Sequence, residues 1–181
     1  FEPVGDTPST HILKPNHLSD DYQCSVVNEY FTMRLAKSVG LVVPDVHKRY
    51  VPQPVYLVDR FDRRFDPAGD EPVRRVHIID SCQLLNKSRA FKYTAARVEI
   101  LAEAVKHCRA KAVARLHLYR WVIFNVLVGN GDNHLKNLSF IVKPDGVSVA
   151  PAYDLLSTAV YSTRAIANER ATWPNVDLAM T

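Results

Sequence analysis

The chain has 181 residues, of which 47% are hydrophobic and 23% are charged, and its formal net charge is +4. This composition is typical of a globular domain long enough for a small two-lobed fold, and it excludes a disordered or fibrous protein. Lysines and arginines are spread along the chain without a dense basic run, so direct nucleic-acid binding is not indicated.

The sequence also bears on the compartment. Three cysteines without CxxC spacing favour free thiols in a reducing cytosol. The longest apolar run, 121–128, is far too short to span a bilayer. The first ten residues have neither a basic start nor an apolar core, so no secretory signal is expected. A cytoplasmic protein without a membrane partner is therefore predicted.

The first sixty residues are predicted to form two strands and one helix. Residues 10–14 are typical of a strand that ends at Pro15, because proline has no N–H to donate to a sheet. A helix is predicted from the capping pair at 19–20 to Gly40, and a second strand over 55–61. Apolar residues at helical spacing predict the buried stripe of this helix as Cys24, Val27, Phe31 and Leu35.

A mainly helical region is predicted to follow. Residues 60–75 carry several charges and a Pro-Ala-Gly turn, which indicates a surface loop. Helices are predicted over 77–85, 95–108 and 112–128. The last of these is apolar on more than half of its circumference, so we expect it to be buried at the centre of a helical lobe. Its main stripe is predicted to be Ala114, Leu118, Trp121, Val122 and Val126.

One stretch after the last helix carries the strongest indication of chemistry. Asp132 and Asn137 stand five positions apart, a spacing typical of the kinase loop that orients the acceptor. A strand over 137–142, a Lys-Pro-Asp-Gly turn and a strand over 147–150 predict a hairpin. The hairpin would return Asp154 to Asn137, and their side-chain oxygens together are suitable ligands for Mg²⁺.

Other interpretations of this stretch are weaker. An Asp and an Asn five apart also occur by chance, and Asn-Gly-Asp is ordinarily a turn. His134 titrates near neutral pH, but Asp132 already fills the role of a base, so we expect the histidine to brace the loop. The histidines and cysteines show no paired zinc-ligand spacing, and the G-x-S-x-G elbow of serine hydrolases is absent from the sequence.

Several segments together resemble a known family. They are RFDR at 60–63, RVHIIDSCQLL at 75–85, NGDNHLKN at 130–137 and APAYDLLST at 150–158. The combination is similar to the HipA family of bacterial serine/threonine protein kinases, the toxin components of HipBA-type toxin–antitoxin systems. Similar segments run in order from HILKP at 11–15 to DLAM at 177–180. The resemblance therefore covers nearly the whole chain.

The resemblance implies an α+β, two-lobed protein-kinase-like fold with a small N-lobe sheet and a mainly helical C-lobe. Residues 1–61 would form the N-lobe part, and residues 62–181 the C-lobe part with the catalytic loop and the metal-binding hairpin. None of the six glycines forms the G-x-G-x-x-G loop that covers ATP phosphates, and the sequence does not contain the helical region expected after DLAM. We therefore expect a chain truncated at both ends, with little or no kinase activity by itself.

The resemblance also implies roles in phosphoryl transfer. Asp132 would orient the acceptor hydroxyl and accept its proton, while Asn137 and Asp154 hold Mg²⁺ against the phosphates. Lys136 would meet the charge that develops on the transferred group. Kinase loops often carry this lysine two positions after the aspartate rather than four, so its role is the least typical.

The expected ATP-binding residues lie earlier in the chain. Lys14 would reach the α- and β-phosphates, and Glu29 on the first helix would be its partner. Backbone groups near Asp59 and Phe61 would lie against the adenine. Each assignment has a plain alternative: a lysine at a strand end and a glutamate on a helix are ordinarily solvated.

The implied function is transfer of the γ-phosphoryl group of ATP to a serine or threonine of a protein. By resemblance, the target would be a translation component such as an aminoacyl-tRNA synthetase, and a HipB-like antitoxin would restrain the kinase and mediate any contact with DNA. Two alternatives stay open: an inactive truncated module that binds the antitoxin, and a small-molecule phosphotransferase with a similar loop.

Overall fold

The computed structural model describes residues 8–65, 73–92 and 97–161. Predicted features that fall in 1–7, 66–72, 93–96 and 162–181, including DLAM, lie outside these ranges. The strands are β1 His11–Pro15, β2 Val46–Tyr50, β3 Pro54–Asp59, β4 Arg63–Phe65, β5 Val73–Arg75, β6 Ile78–Asp80, β7 Ser139–Lys143 and β8 Gly146–Val149. The α-helices are α1 Ser25–Ser38, α2 Ser81–Leu84, α3 Val98–Lys106 and α4 Lys111–Val128. Single 3₁₀ turns occupy Asp20–Tyr22, Arg89–Phe91, Leu135–Asn137 and Ala159–Tyr161.

The first sheet is antiparallel with the order β1-β3-β2, and helix α1 packs against β2 and β3. Lys14 on β1 stands opposite Tyr56 on β3, whose side chain is buried under the helix. The strands predicted over 10–14 and 55–61 are confirmed within one or two residues. This sheet therefore fixes Lys14 beside the helix that carries Glu29.

Helix α1 begins later than predicted. Ser19 caps the preceding 3₁₀ turn instead, accepting a hydrogen bond from the Asp21 N–H. The helix ends at Ser38, and the predicted terminating glycine, Gly40, follows two residues later with a φ of +86° that favours glycine. The Leu41 N–H then reaches back to the Ala36 carbonyl at 3.0 Å, a Schellman-type termination.

The predicted buried stripe of α1 is wrong. Phe31 is 65% exposed, Val27 and Leu35 are exposed as well, and Cys24 precedes the helix on the surface. The sheet lies against another face, and the side chains buried there are Val26, Thr32, Met33 and Ala36. Glu29 falls on this inner side. The helix is rotated relative to the prediction, and this rotation both exposes the predicted stripe and turns Glu29 inward.

The second sheet has the order β6-β7-β8. The predicted hairpin is confirmed as β7 and β8, but the prediction of a helix over 77–85 is wrong in its first half. Residues Ile78–Asp80 pair with β7 as a strand, and Asp80 then caps the short α2 through a capping box with Gln83. The predicted loop over 60–75 also contains the small β4–β5 hairpin.

Helices α3 and α4 pack together and close the core under the second sheet. Leu101, Leu118, Trp121 and Phe140 are among its buried side chains. The expectation that α4 is buried on most of its circumference is wrong, because Val126 is 44% and Leu127 75% exposed to solvent. No helix within the described ranges combines the length and apolar character needed to cross a membrane.

Candidate active site

Lys14 lies at the centre of a charged cluster between the two sheets. Its ammonium donates to the Glu29 carboxylate at 2.8 Å and to the Asp154 carboxylate at 2.6 Å. Strand β1 supplies the lysine, helix α1 the glutamate and the segment after β8 the aspartate. The three residues lie at positions 14, 29 and 154, and the fold brings them into direct contact.

Burial affects the charged forms of Lys14 and Glu29 to different extents. Burial disfavours the charged form of Lys14, but Glu29 and Asp154 outweigh burial and raise the pKa of the lysine above its ordinary value. Burial also raises the pKa of Glu29, although Lys14 acts against that shift. The glutamate side chain is only 13% exposed and the lysine 39%, so the glutamate bears more of the desolvation. The cluster thus holds a lysine that stays protonated.

The backbone at Asp154 adopts an unusual conformation. Its φ of +58° lies in the left-handed region, where aspartate and asparagine are tolerated better than most residues. The preceding Tyr153 anchors this turn: its hydroxyl donates to the Lys136 carbonyl at 2.6 Å and lies 2.7 Å from the Ser139 hydroxyl. Burial raises the pKa of Tyr153 to about 12. The tyrosine is therefore a neutral hydrogen-bonding anchor beside the aspartate.

Two adjoining cavities share the Lys14 cluster. The smaller, of about 330 Å³, is mostly apolar and extends along the end of β3 to Phe61. The larger, of about 1260 Å³, is more polar and extends to Gly131 and Asp132. Lys14, Glu29, Tyr56 and Asp154 line both cavities. An apolar pocket that joins a polar one at a lysine–carboxylate cluster can hold a ligand with a flat apolar ring and an anionic end.

The segment after β3 forms the far wall of the smaller cavity. Arg60 clamps Asp62 with two hydrogen bonds of 2.9 and 2.7 Å, which lowers the pKa of that carboxyl. The Phe61 ring lies 5.7 Å from the Tyr153 ring. Asp59 lines the same cavity, and its carboxylate faces His11 at 3.3 Å. The structure therefore brings Asp59 and Phe61 to the wall where an adenine ring was expected.

Asparagines fix the loop that carries Asp132. Helix α4 ends at Gly129, whose φ is +65° and whose position leaves no room for a side chain, since a Cβ would lie 2.7 Å from the Ala159 Cβ. Asn130 then donates to the Asn125 side chain at 2.8 Å and accepts from the Asp132 N–H at 3.2 Å. Asn130 and Asn125 are both fully buried. These contacts fix the course of the loop from the helix end to Asp132.

Asn137 also braces this loop. Its amide donates to the Asp132 carbonyl at 3.0 Å, and the residue is 5% exposed. Asn137 lines neither of the cavities that Asp154 lines; it lines another cavity, together with Lys136 and His134. The structure therefore brings Asp132 into the same cavity as Lys14 and Asp154, but not Asn137 or Lys136.

Residues 157 and 158 connect three elements at this point. The side chain of Asn28 on α1 donates to the Ser157 carbonyl at 2.8 Å and accepts from the Ser157 N–H at 3.0 Å. The Thr158 hydroxyl donates to the Gly129 carbonyl at 3.0 Å and accepts from the Gly131 N–H at 2.6 Å. Helix α1, the segment after Asp154 and the loop that carries Asp132 are thereby joined.

Sequence reasoning missed four of these residues: Asn28, Asn125, Asn130 and Thr158. They act through hydrogen bonds to backbone or to one another, which leave no spacing pattern in the sequence. The available signal was chemical: amides within apolar helical stretches, such as Asn125 in 121–128, are expected to have partners when they are buried.

Comparison with known proteins decides the family. Residues 2–181 match the model of the HipA-like C-terminal domain. The chain belongs to this family. This HipA-like chain is 38% identical over 172 residues to the serine/threonine-protein kinase toxin HipA of Shewanella oneidensis. The match covers 87% of the HipA-like chain and 39% of the relative, so the chain spans about two fifths of the relative's length.

Solved structures agree with the sequence match. The HipA-like chain superposes on a chain of the Shewanella oneidensis complex of HipA, HipB and operator DNA with a TM-score of 0.78 at 36% identity, over 85% of this chain and 38% of that one. The Helicobacter pylori proinflammatory kinase CtkA gives a TM-score of 0.58 at 17% identity, over 80% of this chain and 50% of that one, which shows the fold alone. The predicted kinase-like α+β fold is confirmed.

Proposed function

We propose that the protein containing this chain is an ATP-dependent serine/threonine protein kinase that acts as the toxin of a bacterial toxin–antitoxin system. The contact of Lys14 with both Glu29 and Asp154, at the junction of an apolar and a polar cavity, is the observation that carries the proposal. The name of the Shewanella relative supports the same activity.

The residues present fit a nucleotide. The apolar cavity along β3 suits an adenine ring, and the buried Tyr56 hydroxyl beside it has no hydrogen-bond partner among the described residues, so a ligand atom can supply one. The Lys14 ammonium suits the phosphates. ATP, when bound, supplies the transferable phosphoryl group.

The residues also fit Mg²⁺ better than a transition metal. No group of three or more His, Cys, Asp or Glu that could hold a metal occurs within the described ranges. Mg²⁺ is usually held by one or two carboxylates together with substrate phosphates, and Asp154 is such a carboxylate. Asn137 was predicted as a second ligand. Its amide nitrogen donates to the Asp132 carbonyl, which leaves its Oδ1 free to ligate a metal, but the residue lines neither cavity that contains Asp154. We propose that Asn137 takes this role only with nucleotide present.

The remaining roles follow from position. Asp132 would orient the acceptor hydroxyl and take its proton, because it shares the larger cavity with Lys14 and Asp154. Glu29 would hold the lysine in place, since its carboxylate accepts a hydrogen bond from the Lys14 ammonium and is only 13% exposed. The backbone near Asp59 and Phe61 would contact the adenine. Phosphoryl transfer depends on such positioning more than on covalent chemistry.

Partners are proposed by similarity. The Shewanella HipA chain was solved together with HipB and its operator DNA. We infer that a HipB-like antitoxin restrains this kinase in the cytoplasm and that DNA is contacted through the antitoxin. An aminoacyl-tRNA synthetase is our proposed class of target, on the family resemblance alone.

The test separates catalysis from binding in the full-length gene product. In Asp132→Ala, transfer of labelled phosphate from ATP to lysate proteins should fall at least about 100-fold, while the calorimetric affinity for MgATP stays unchanged. In Asp154→Asn, Mg²⁺-dependent affinity itself should fall about 10- to 100-fold, the equivalent of about 1.5–3 kcal/mol. Asparagine is the better substitution at 154 because it tolerates the left-handed backbone.

The control is Glu103→Ala on α3, which removes an exposed carboxylate whose ion-pair partner among the described residues is Lys106. It should leave transfer and affinity as in the wild type. Equal losses of MgATP affinity in Asp132→Ala and Asp154→Asn would contradict the assigned roles, and phosphate transfer by both variants at the wild-type rate would contradict the proposed function.

A further inference from the structure

A third cavity, of about 710 Å³, shares no lining residue with the two cavities that contain Asp154. Arg89 and Lys92 line one wall, and Lys136 and His134 line the other. No carboxylate of the described residues lines this cavity. It therefore concentrates positive charge within a concave surface, and such a surface attracts anions.

The walls of this basic cavity are held to the loop that carries Asp132. The Leu135 N–H donates to the Lys92 carbonyl at 3.1 Å, so the Arg89–Lys92 segment lies directly against the loop. Asn137 lines the cavity and donates to the Asp132 carbonyl at 3.0 Å. One side chain thus separates the basic cavity from the residue that orients the acceptor hydroxyl. An extended polypeptide advances about 3.3 Å per residue, so a chain with its hydroxyl at Asp132 reaches the cavity within a few residues.

Two cations of the cavity, Arg89 and Lys136, are available for a ligand. The side chains of Arg89 and Lys136 are exposed and have no ion-pair partner in the ranges 8–65, 73–92 and 97–161. Lys136 lines this cavity and neither of the cavities that contain Asp154. Lys14 already places a cation against the candidate phosphate site. The geometry therefore separates Lys136 from the transferred phosphoryl group.

We propose that the basic cavity binds a glutamate or aspartate of the acceptor protein, a few residues from the serine or threonine that is phosphorylated. This inference rests on the proposed kinase function and specifies its substrate class. Arg89 and Lys136 would each form a charge-assisted hydrogen bond with the acceptor carboxylate. The cavity is a specificity site, and Lys136 is a substrate-binding residue rather than a residue of phosphoryl transfer.

A protein carboxylate suits the cavity better than a nucleic-acid phosphate. Single-stranded nucleic acids are usually bound by aromatic platforms that stack the bases. Apart from the His134 imidazole, no aromatic side chain that the structure describes lines the cavity.

The test uses the full-length protein and serine peptides that differ only in flanking glutamates or glutamines. The wild type should bind the glutamate peptide more tightly by fluorescence anisotropy and phosphorylate it with a lower KM. Arg89→Gln and Lys136→Gln should each raise that KM about tenfold, reduce the preference for glutamate and leave the KM for ATP unchanged. Lys143→Gln, an exposed lysine at the hairpin turn, is the matched control and should behave as the wild type.

Each other outcome is decisive. Phosphorylation of both peptides with equal KM overturns the inference and leaves the kinase function standing. If the protein binds the glutamate peptide more tightly than the glutamine peptide, loses this preference in Arg89→Gln and transfers no phosphate, the carboxylate-binding role of the cavity is supported and the kinase function is overturned. If Lys136→Gln lowers kcat on both peptides, Lys136 takes part in phosphoryl transfer, and its assignment as a substrate-binding residue is overturned. Tighter binding of a single-stranded RNA oligonucleotide than of the glutamate peptide, lost in Arg89→Gln, overturns the proposed protein ligand.

Discussion

Single residues of the site are held in defined charge states by their surroundings. Lys14 stays protonated because two carboxylates outweigh its burial, and Tyr153 stays neutral because its hydroxyl is buried against Ser139 and Lys136. His134 is the opposite case. Burial lowers the pKa of His134 below its ordinary value of 6.5, with Asp132 acting against the shift and Lys92 in its direction. The imidazole is therefore held in its neutral form.

This shift predicts a pH dependence of stability. Because the folded protein binds a proton at His134 less readily than the unfolded chain, the free energy of unfolding should decrease as the pH falls below about 6.5. His134→Gln, which cannot be protonated, should lose less stability than the wild type between about pH 7.5 and about pH 5.5 in urea titrations. The exposed His107→Gln is the control, and a wild-type slope in His134→Gln would contradict the shift.

The sequence predicts some of these residues and not others. Lys14 and Asp154 were predictable because each ends a recognisable strand or hairpin within a familiar segment, although they lie 140 positions apart. Asn28 and Thr158 were not, because their partners are backbone groups more than 25 positions away. Spacing patterns report side chains that share a face of one element, and they do not report contacts made by the fold as a whole.

At the scale of elements, α1 has two functions on two faces. Its inner face carries Glu29 to Lys14 and packs Met33 and Ala36 on the sheet, while Phe31 and its neighbours form an exposed apolar face. Amphipathic spacing could not identify the inner face, since the outer face is the more regular apolar stripe. The three-residue β6 was missed for a related reason: it is a strand only because β7, some sixty positions later, pairs with it.

The two hydrogen bonds between the Asn28 side chain on α1 and the Ser157 backbone form a clamp that can be tested by mutation. Asn28→Ala leaves the N–H and carbonyl of Ser157 without their present partners, so we expect a loss of about 1–3 kcal/mol in the free energy of unfolding. MgATP affinity should also decrease, because the clamp lies three residues from Asp154. Denaturant titration and calorimetry on the full-length protein measure the two effects.

Arg34→Ala, an exposed change on the same helix, controls for altered helix propensity. Wild-type nucleotide affinity in a destabilised Asn28→Ala protein would show that the clamp contributes to stability alone and does not position the aspartate.

At the scale of the whole molecule, the first sheet and helix α1 meet the segment around Asp154 across the cavities. Lys14 contacts Asp154, Asn28 contacts Ser157, and the Ala152 N–H donates to the Val42 carbonyl at 2.8 Å. The rings of Tyr22 and Tyr161 also meet, with centroids 5.3 Å apart. A ligand in the cavities would contact both sides of this junction and so would favour the assembled fold.

Nucleotide should therefore stabilise the full-length protein. Ligand at about 100 times its dissociation constant adds about 2.7 kcal/mol to the free energy of unfolding. Thermal unfolding with and without MgATP should show a rise in Tm for the wild type and for Lys106→Met, a change on the exposed side of α3. Lys14→Met should show little or no rise at the same MgATP concentration, and an undiminished rise would exclude Lys14 from the phosphate site.

The close approach of Gly129 to Ala159 links two positions thirty residues apart. A Cβ at 129 would lie 2.7 Å from the methyl group at 159, so the two side chains exclude each other. The constraint acts in one direction. Ala159 can be replaced by glycine without a clash, but a side chain at position 129 requires either a glycine at position 159 or a shift of the 3₁₀ turn at Ala159–Tyr161 away from the end of α4. Within the family, we therefore expect a side chain at position 129 to occur only together with a smaller residue at position 159 or an altered backbone in the segment after Asp154.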